Sequence, residues 1–305
     1  MVNMKKCLIL VSLGLLLPVL SANAVKLTVK NSQIIDIGEA YHPLLSDNGE
    51  KLLYTSDNYR GLHVLDMGSM NSNEISSSEG AGYSPVINFD GSKVYYRNMQ
   101  LDGRLRKKNV MMYDCIKGGS VEVLPMGRSD VKLMQTAGEI AVLNDDKIMG
   151  DDESGAKTSV YAYSMHDRIV VQTGNVLKEL NPLPSGSRYL WVKLSPDHKK
   201  ILFVEPFEGV FVCDIDGTNA KRIAEDGSSP SWYGNNVVLF TRSQDDGYHV
   251  TASQIMAVDV NTGEESQLTT PESMAEDASG SITSGKIVYS DANGTLRLLE
   301  INVVE

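Results

Sequence analysis

The sequence has 305 residues, of which 42% are hydrophobic and 22% are charged. This composition excludes an intrinsically disordered chain, a polytopic membrane protein and a miniprotein held together by disulfides. Three cysteines are too few for a disulfide framework. The formal net charge of −11 argues against a surface built to neutralise nucleic-acid phosphates or anionic lipid, so we expect no nucleic-acid partner.

Residues 1–24 have the pattern of a secretory signal peptide. Lys5 and Lys6 form a basic start, residues 7–20 are largely apolar, and Ala22-Asn23-Ala24 is a small-x-small cleavage site. The apolar run is shorter than the roughly 20 residues that cross a bilayer, which favours cleavage after Ala24 over a membrane anchor. We therefore expect a periplasmic or secreted mature chain without a membrane span. Loss of the two lysines takes the net charge to −13.

A short strand that ends in an aromatic residue recurs along the rest of the chain. Clear copies span residues 51–54, 93–96, 200–203, 237–240 and 286–289, and a weaker copy spans residues 139–142. The ends lie about 47 residues apart on average, so residues 25–305 divide into six units. Each unit also contains a strand in which apolar and polar residues alternate and which ends in an acidic residue. Two further short segments and turns with Gly or Asp complete the unit. Four short strands in a unit of this length are typical of a propeller blade.

The repeats predict an all-β fold, a single six-bladed β-propeller over residues 25–305 with four antiparallel strands per blade. Residues 33–37 lie shortly before Tyr41-His42-Pro43. Residues 73–75 lie in the same relation to Tyr83-Ser84-Pro85. The last unit ends soon after its strand at residues 296–301. We therefore expect the N-terminal strand to complete the last blade and close the ring, which removes an exposed sheet edge.

The third unit departs from the repeat. Its interval is the longest, at 61 residues, and it contains the acidic stretch at residues 144–153. We interpret it as a blade with an inserted hairpin or loop, with later strands near residues 159–163, 168–172 and 176–180. The acidic stretch is either a weak cation site or a solvated loop.

Three segments carry a family resemblance. Residues 83–96, 194–203 and 212–223 resemble the WD40-like, PD40-type repeats of TolB-type six-bladed propellers. The resemblance extends over nearly all of residues 25–305 and is sharpest in the second and fourth units. It implies a fold, because the Asp-Gly pairs of these repeats form turns and their apolar residues pack blade on blade. We expect no counterpart of the N-terminal α/β domain of TolB in this chain.

The sequence contains no recognisable catalytic or metal motif. Its five histidines are never closer than 21 residues apart, and no G-x-S-x-G nucleophile elbow is present. Asp214, Asp216 and Thr218 echo a calcium loop, but the same segment fits a hairpin turn between two strands. We expect no cofactor and no metal site. Cys115 and Cys213 are interpreted as buried free thiols, although export would permit a disulfide.

A ligand site is expected where loops enter the innermost strands, since several blades converge there. The candidate binding residues at this channel rim are His42, Tyr83, Trp191, Trp232, Tyr233 and Asp277. The two tryptophans suit a protein or carbohydrate surface, although propeller aromatics also pack between blades.

We interpret the chain as an exported, monomeric, non-catalytic binding module for a cell-envelope protein or glycan. Two alternatives remain open. One is a propeller enzyme of the lyase, lactonase or glycosidase type with a channel site, and the other is a carbohydrate or small-molecule sensor.

Overall fold

The computed structural model describes residues 24–136, 139–145, 147–149, 159–174 and 176–304. Within these ranges the chain forms 26 β-strands in seven antiparallel sheets. In the part of the chain described, no helix has the length and apolar character needed to cross a membrane.

The sheets are numbered in chain order, with the innermost strand of each given first. Sheet 1 contains β2 (Tyr41–Leu45), β3 (Lys51–Thr55), β4 (Leu62–Asp66) and β5 (Ser72–Ser76). Sheet 2 contains β6 (Val86–Ile87), β7 (Lys93–Asp102), β8 (Leu105–Asp114) and β9 (Ser120–Gly127). Sheet 3 contains β10 (Val131–Thr136), β11 (Glu139–Asn144) and β12 (Lys147–Met149). Sheet 4 contains β13 (Val160–Met165), β14 (Arg168–Thr173) and β15 (Val176–Leu180).

The remaining three sheets have four strands each. Sheet 5 contains β16 (Leu190–Leu194), β17 (Lys200–Glu205), β18 (Gly209–Asp214) and β19 (Lys221–Ala224). Sheet 6 contains β20 (Ser228–Tyr233), β21 (Val237–Asp245), β22 (Val250–Asp259) and β23 (Glu265–Gln267). Sheet 7 contains β24 (Ala275–Ser281), β25 (Lys286–Asp291), β26 (Leu296–Val304) and β1 (Lys26–Ile35).

The prediction of six blades is wrong, because the chain forms seven. The 61-residue interval that we interpreted as one blade with an insertion contains two sheets, sheets 3 and 4, with three strands each in the described residues. β14 occupies the position of the repeated strand in sheet 4, but it ends in Gln172 and Thr173 where the five clear copies have an aromatic residue. The prediction of four strands per blade holds for the other five sheets.

The apolar run of the second strand is buried in most sheets because neighbouring sheets cover both of its faces. β3 and β17 are buried along almost their whole length. Such strands are expected to be continuously apolar, and this explains why they produced the strongest repeat in the sequence. Buried side chains are shared across each interface between sheets, as where Leu53 of sheet 1 and Val94 of sheet 2 belong to one cluster.

The N-terminal strand β1 is the outermost strand of sheet 7. It pairs antiparallel with β26 from Lys26 opposite Val304 to Ile35 opposite Leu296, with one bulge. Sheet 1 packs on sheet 7 through β2, which lies against β24 and β25. Leu52 of sheet 1 and Val288 of sheet 7 share a buried cluster. The two ends of the described chain are therefore joined by strand pairing within sheet 7, and sheet 7 packs against sheet 1.

Cys115 and Cys213 are free thiols. Burial raises the pKa of Cys115 to about 11 and that of Cys213 to about 12. Both thiols therefore stay protonated near neutral pH and are weak nucleophiles. Of the acidic stretch, residues 144, 145 and 147–149 are described and belong to β11, the following turn and β12, while residues 146 and 150–153 lie outside the described residues.

Candidate functional site

Five sheets carry the same irregularity near the start of the innermost strand. In β2, β16, β20 and β24, a bulge of two unpaired residues shifts the pairing register with the second strand of the same sheet. At each bulge, and just before β6, one non-glycine residue has a left-handed backbone: His42 (φ 50°), Ser84 (φ 48°), Trp191 (φ 48°), Ser229 (φ 49°) and Asp277 (φ 54°). This conformation is unfavourable for residues with a Cβ, and bulges redirect side chains. We call the face of the propeller on which these strands begin the entry face.

The bulges of neighbouring sheets bring His42 and Asp277 into contact. His42 Nδ1 lies 2.5 Å from Asp277 Oδ2, and the two side chains are 32% and 24% exposed. Burial would raise the pKa of Asp277, but hydrogen bonds from His42 and Ser229 and the charge of Lys193 together hold it below its usual value. Asp277 is therefore an anion at neutral pH, and it holds the imidazole by one of its two nitrogens.

Lys193 of sheet 5 faces the same carboxylate from two sheets away. The surrounding protein removes hydration from its ammonium group and lowers its pKa, while the charge of Asp277 opposes this shift. The side chain remains accessible to water, as expected for a residue that lines an open channel. Glu276 adds a second acid, and its pKa is raised by burial and by Asp277. The site is therefore a small cluster of charges with a cation on the side opposite the histidine.

An aromatic group adjoins this cluster. Tyr59, in the loop between β3 and β4, stacks on His42 with ring centroids 4.1 Å apart and an interplanar angle of 7°. Tyr83 contacts Tyr59 edge to face at 5.3 Å. Arg97, almost fully buried, donates from Nη2 to the carbonyl oxygen of Tyr83 at 2.7 Å, and its guanidinium lies 5.3 Å from the centroid of that ring. A buried cation thus fixes the outermost aromatic ring.

The site brings three of the six predicted residues together: His42, Tyr83 and Asp277. Trp191 lies on the same face and is 46% exposed. Trp232 is half-buried, packs against the core shared by sheets 5 and 6, and donates from Nε1 to the carbonyl oxygen of Lys193 at 3.2 Å. Its main role is to support β16.

Tyr233 does not line the rim, which corrects the sequence prediction. It is the last residue of β20 and pairs with Val237, at the end of the strand far from the entry face. Its side chain is 1% exposed and lies in the core shared by sheets 6 and 7. The alternation of side chains along β20 sends Tyr233 into the core.

The comparisons with known proteins support the fold and nothing finer. No protein-family model matches the chain, and no curated protein is similar to it in sequence. A structure described as a TolB of Agrobacterium tumefaciens is 12% identical, with a TM-score of 0.52, and the match covers 92% of this chain and 98% of that one.

Two oligogalacturonate lyase structures are more distant. One, in complex with manganese, is 11% identical with a TM-score of 0.48, covering 87% of this chain and 78% of that one. The other, from Vibrio parahaemolyticus, is 9% identical with a TM-score of 0.47, covering 87% and 79%. This chain is thus similar to propellers of the TolB kind in fold.

Sequence analysis missed Tyr59, Lys193, Arg97 and Ser229. Tyr59 and Lys193 lie at the site only because separate sheets are arranged around one axis. The spacing of residues in the sequence does not predict this proximity. Arg97 had a visible signal, since it continues a strand that is otherwise apolar up to Tyr96. Ser229 precedes Pro230 as Ser84 precedes Pro85, so the repeat itself marked that position.

The donor set of the cluster favours acid and base chemistry or polar recognition. Among the described residues, no group of three or more His, Cys, Asp or Glu side chains is arranged to hold a metal ion. A surface groove of about 760 Å³ lies elsewhere, beside β19 and β23. Both of its cations are already paired, Arg242 with Asp226 and Glu265 and Arg222 with Glu225. The entry face is therefore the better candidate.

Proposed function

We propose that the chain is an exported, non-catalytic binding module that engages a cell-envelope protein or glycan at its entry face. One observation carries this proposal. Exposed Tyr83 and Trp191 lie on the face that also carries the His42–Asp277 pair and Lys193, so exposed aromatic side chains share a face with a cluster of charges. The proposed export rests on the signal-like pattern of residues 1–24.

The physical properties of these groups suit recognition. Aromatic side chains offer a large contact area and lose little conformational entropy on binding, and they dominate many interfaces. Tyr83 is already held by Arg97 and Tyr59, so little further ordering is needed. The ion cluster supplies directional hydrogen bonds at the centre and would fix the orientation of a partner.

Site-specific photocrosslinking tests the proposal. A photoreactive amino acid is placed at Tyr83 or Trp191 of the chain expressed in its native cell. We expect one discrete envelope adduct from both positions. Phe89, an exposed aromatic residue at the far end of β6, provides the matched control and should give no such adduct. Equal labelling from Phe89, or no adduct from either entry-face position, would contradict the proposal.

A second candidate function is acid–base catalysis at the same cluster. Asp277 binds His42 through Nδ1, and among the described residues no protein group is hydrogen-bonded to Nε2. An imidazole oriented by a carboxylate with its second nitrogen open is a suitable general base. The effect of His42→Gln distinguishes the two functions. If the site is catalytic, mass spectrometry of envelope glycans and peptides incubated with the chain should detect new products, and these products should be absent with His42→Gln. If the site only binds, no new products should appear with either chain.

A further inference from the structure

Asp259, the last residue of β22, is an acid that the fold buries almost completely. It is 1% exposed. Its Oδ1 accepts hydrogen bonds from the backbone amides of Asn261 and Thr262 at 2.7 and 3.1 Å, which closes the turn after β22. Its Oδ2 accepts a hydrogen bond at 2.7 Å from the backbone nitrogen of Val25, which lies 234 residues earlier in the chain.

This buried acid lacks a basic side chain as its partner. In the part of the chain that the structure describes, no Lys, Arg or His side chain forms an ion pair with Asp259. Lys221 donates instead to the carbonyl oxygens of Val260 and Asn261. A buried carboxylate is costly unless an opposite charge accompanies its hydrogen bonds. The surroundings of Asp259 therefore call for a cation.

The other sheets show where this cation normally lies. In sheets 1, 2, 5 and 7 the second strand begins with a lysine, and the residue that pairs with it on the third strand is an acid. These pairs are Lys51–Asp66, Lys93–Asp114, Lys200–Asp214 and Lys286–Glu300. In sheet 6 the residue opposite Asp259 is Val237. The repeat thus keeps the acid in sheet 6 and omits its lysine.

The nitrogen of Val25 takes the place of the missing lysine nitrogen. In sheet 1, Asp66 Oδ1 accepts from the amides of Gly68 and Ser69, and Asp66 Oδ2 lies 2.5 Å from Lys51 Nζ. Asp259 likewise uses Oδ1 for the turn and Oδ2 for a nitrogen from elsewhere. Its 2.7 Å contact has the length of a hydrogen bond between an ammonium group and a carboxylate.

We infer that Asp259 is the binding site for the α-ammonium group of a mature chain that begins at Val25. A leader-cleaving peptidase hydrolyses the Ala24–Val25 peptide bond with one water molecule. The hydroxyl goes to the carbonyl carbon of Ala24 and the hydrogen goes to the nitrogen of Val25, which takes up a proton from solvent. An unperturbed α-amino group has a pKa of about 8 and is mostly protonated at neutral pH.

The ion pair fastens the N-terminal strand to sheet 6 as well as to sheet 7. Val25 packs against the core that these two sheets share, and the amide of Leu27 donates to Ser266 Oγ at 3.2 Å. Removal of the leader is therefore the step that completes this junction. The inference rests on the predicted cleavage and on none of the entry-face residues, so its failure leaves the proposed binding site untouched.

The N-terminus of the exported protein tests the cleavage site. The full chain is expressed in a bacterial host that exports it, and the intact mass of the purified protein is measured. We expect the mass of residues 25–305. A protein that retains residues 1–24, or that begins at any residue other than Val25, overturns the inference.

A short Gly-Ser extension before Val25 tests the charge, because it moves the ammonium group away and keeps the amide in place. The melting temperature should fall by about 4 °C or more relative to the chain that begins at Val25. Asp259→Asn should abolish this difference, since a neutral side chain gains nothing from the ammonium charge. Equal melting temperatures of the two parent chains, or a difference that persists in Asp259→Asn, overturns the inference.

Asp114→Asn is the matched control for this experiment. Asp114 accepts from the amides of Ile116 and Lys117 as Asp259 does from its own turn, but it lies in sheet 2. The effect of the extension should be unchanged in this variant. If it vanishes here too, the effect does not depend on Asp259 and the inference fails.

The pKa of the Val25 α-amino group gives a test that requires no variant. It is measured by nitrogen NMR on the mature chain labelled at valine. Pairing with Asp259 stabilises the charged form, so the pKa should lie above about 9 and not near the unperturbed value of about 8. A pKa at or below the unperturbed value overturns the inference.

Discussion

Tyr233 carries a buried hydroxyl group that has no hydrogen-bond partner in the described residues. Burial raises its pKa to about 12. An unpaired buried polar group costs its desolvation free energy without compensation. Tyr233→Phe is therefore expected to raise the free energy of unfolding by about 1 kcal/mol, measured by urea denaturation.

Tyr189 provides the control for this prediction. It is as buried as Tyr233, but its hydroxyl donates to Asn181 Oδ1 at 2.6 Å and accepts from the amide of Leu183 at 3.2 Å. Tyr189→Phe should lower the free energy of unfolding by about 1–2 kcal/mol. A loss of similar size for Tyr233→Phe would mean that the Tyr233 hydroxyl is paired.

Asp277 should make the stability of the chain depend on pH. Its pKa is lower in the folded chain than the unfolded value of about 3.9, so ionised Asp277 stabilises the fold above that pH. The contribution is lost as pH falls through the folded pKa. Asp277→Asn should therefore lower the free energy of unfolding by about 1–2 kcal/mol at pH 6. The difference from the parent chain should shrink below pH 4, which thermal denaturation at several pH values measures; a difference independent of pH would contradict this assignment.

The sequence could predict His42, Tyr83 and Asp277 because each lies where a repeated innermost strand begins. It could not predict their partners. Lys193 comes from two sheets away, and Tyr59 comes from a loop, so their positions follow from the closure of the whole arrangement and not from local spacing. Tyr233 was misassigned because it belongs to an innermost strand but is its last residue, far from the entry face, where its side chain packs between sheets 6 and 7.

Among the elements, the segment that leads into β6 stores backbone strain at Ser84. Ser84 is exposed and has a φ of 48°. Ser84→Val should lower the free energy of unfolding by about 1–2 kcal/mol, since a β-branched residue tolerates this conformation poorly. Ser84→Gly should be nearly neutral, because relief of strain offsets the added freedom of the unfolded chain.

The control for Ser84→Val is the same type of substitution at a polar residue in an extended strand. Gln33 of β1 is exposed and lies in regular pairing opposite Leu298. Gln33→Val should change the free energy of unfolding by less than about 0.5 kcal/mol in urea denaturation. If Ser84→Val were equally mild, the left-handed backbone at Ser84 would not be strained.

The N-terminal strand β1 should contribute strongly to stability although it lies at a sheet edge. Leu27 is buried in the core shared by sheets 6 and 7. Leu27→Ala should lower the free energy of unfolding by about 2–4 kcal/mol. Ile34 of the same strand is exposed, and Ile34→Ala should cost less than about 1 kcal/mol. Similar losses in urea denaturation would show that β1 is not packed as described.

Strand prediction succeeded where burial on both faces enforced a continuous apolar run. β3, β7, β17, β21 and β25 were all identified by this run and by a following aromatic residue. β14 has the run, in Ile169, Val170 and Val171, but lacks the aromatic. The sequence predicted a strand at residues 168–172, but without the aromatic residue this strand was not recognised as a copy of the repeat, so the long interval was not divided into two blades.

At the scale of the whole molecule, the seven sheets are unequal. Sheets 3 and 4 have three strands among the described residues, and the buried cluster that they share is smaller than the one shared by sheets 6 and 7. In a structure built from successive repeats, local stability is approximately the sum of the intrinsic stability of each repeat and the stabilisation from its interfaces with its neighbours. Sheets 3 and 4 should therefore be the weakest part of the ring.

Hydrogen–deuterium exchange measures this difference directly. Leu143 of β11 and Val170 of β14 are as buried as Val238 of β21 and Val288 of β25, so burial alone predicts equal protection. If the smaller number of strands and the smaller interfaces seen among the described residues govern local opening, the amides of β11 and β14 should exchange at least tenfold faster under native conditions. Mass spectrometry of peptides from these four strands provides the comparison. Uniform protection would instead indicate that the seven sheets unfold as one cooperative unit.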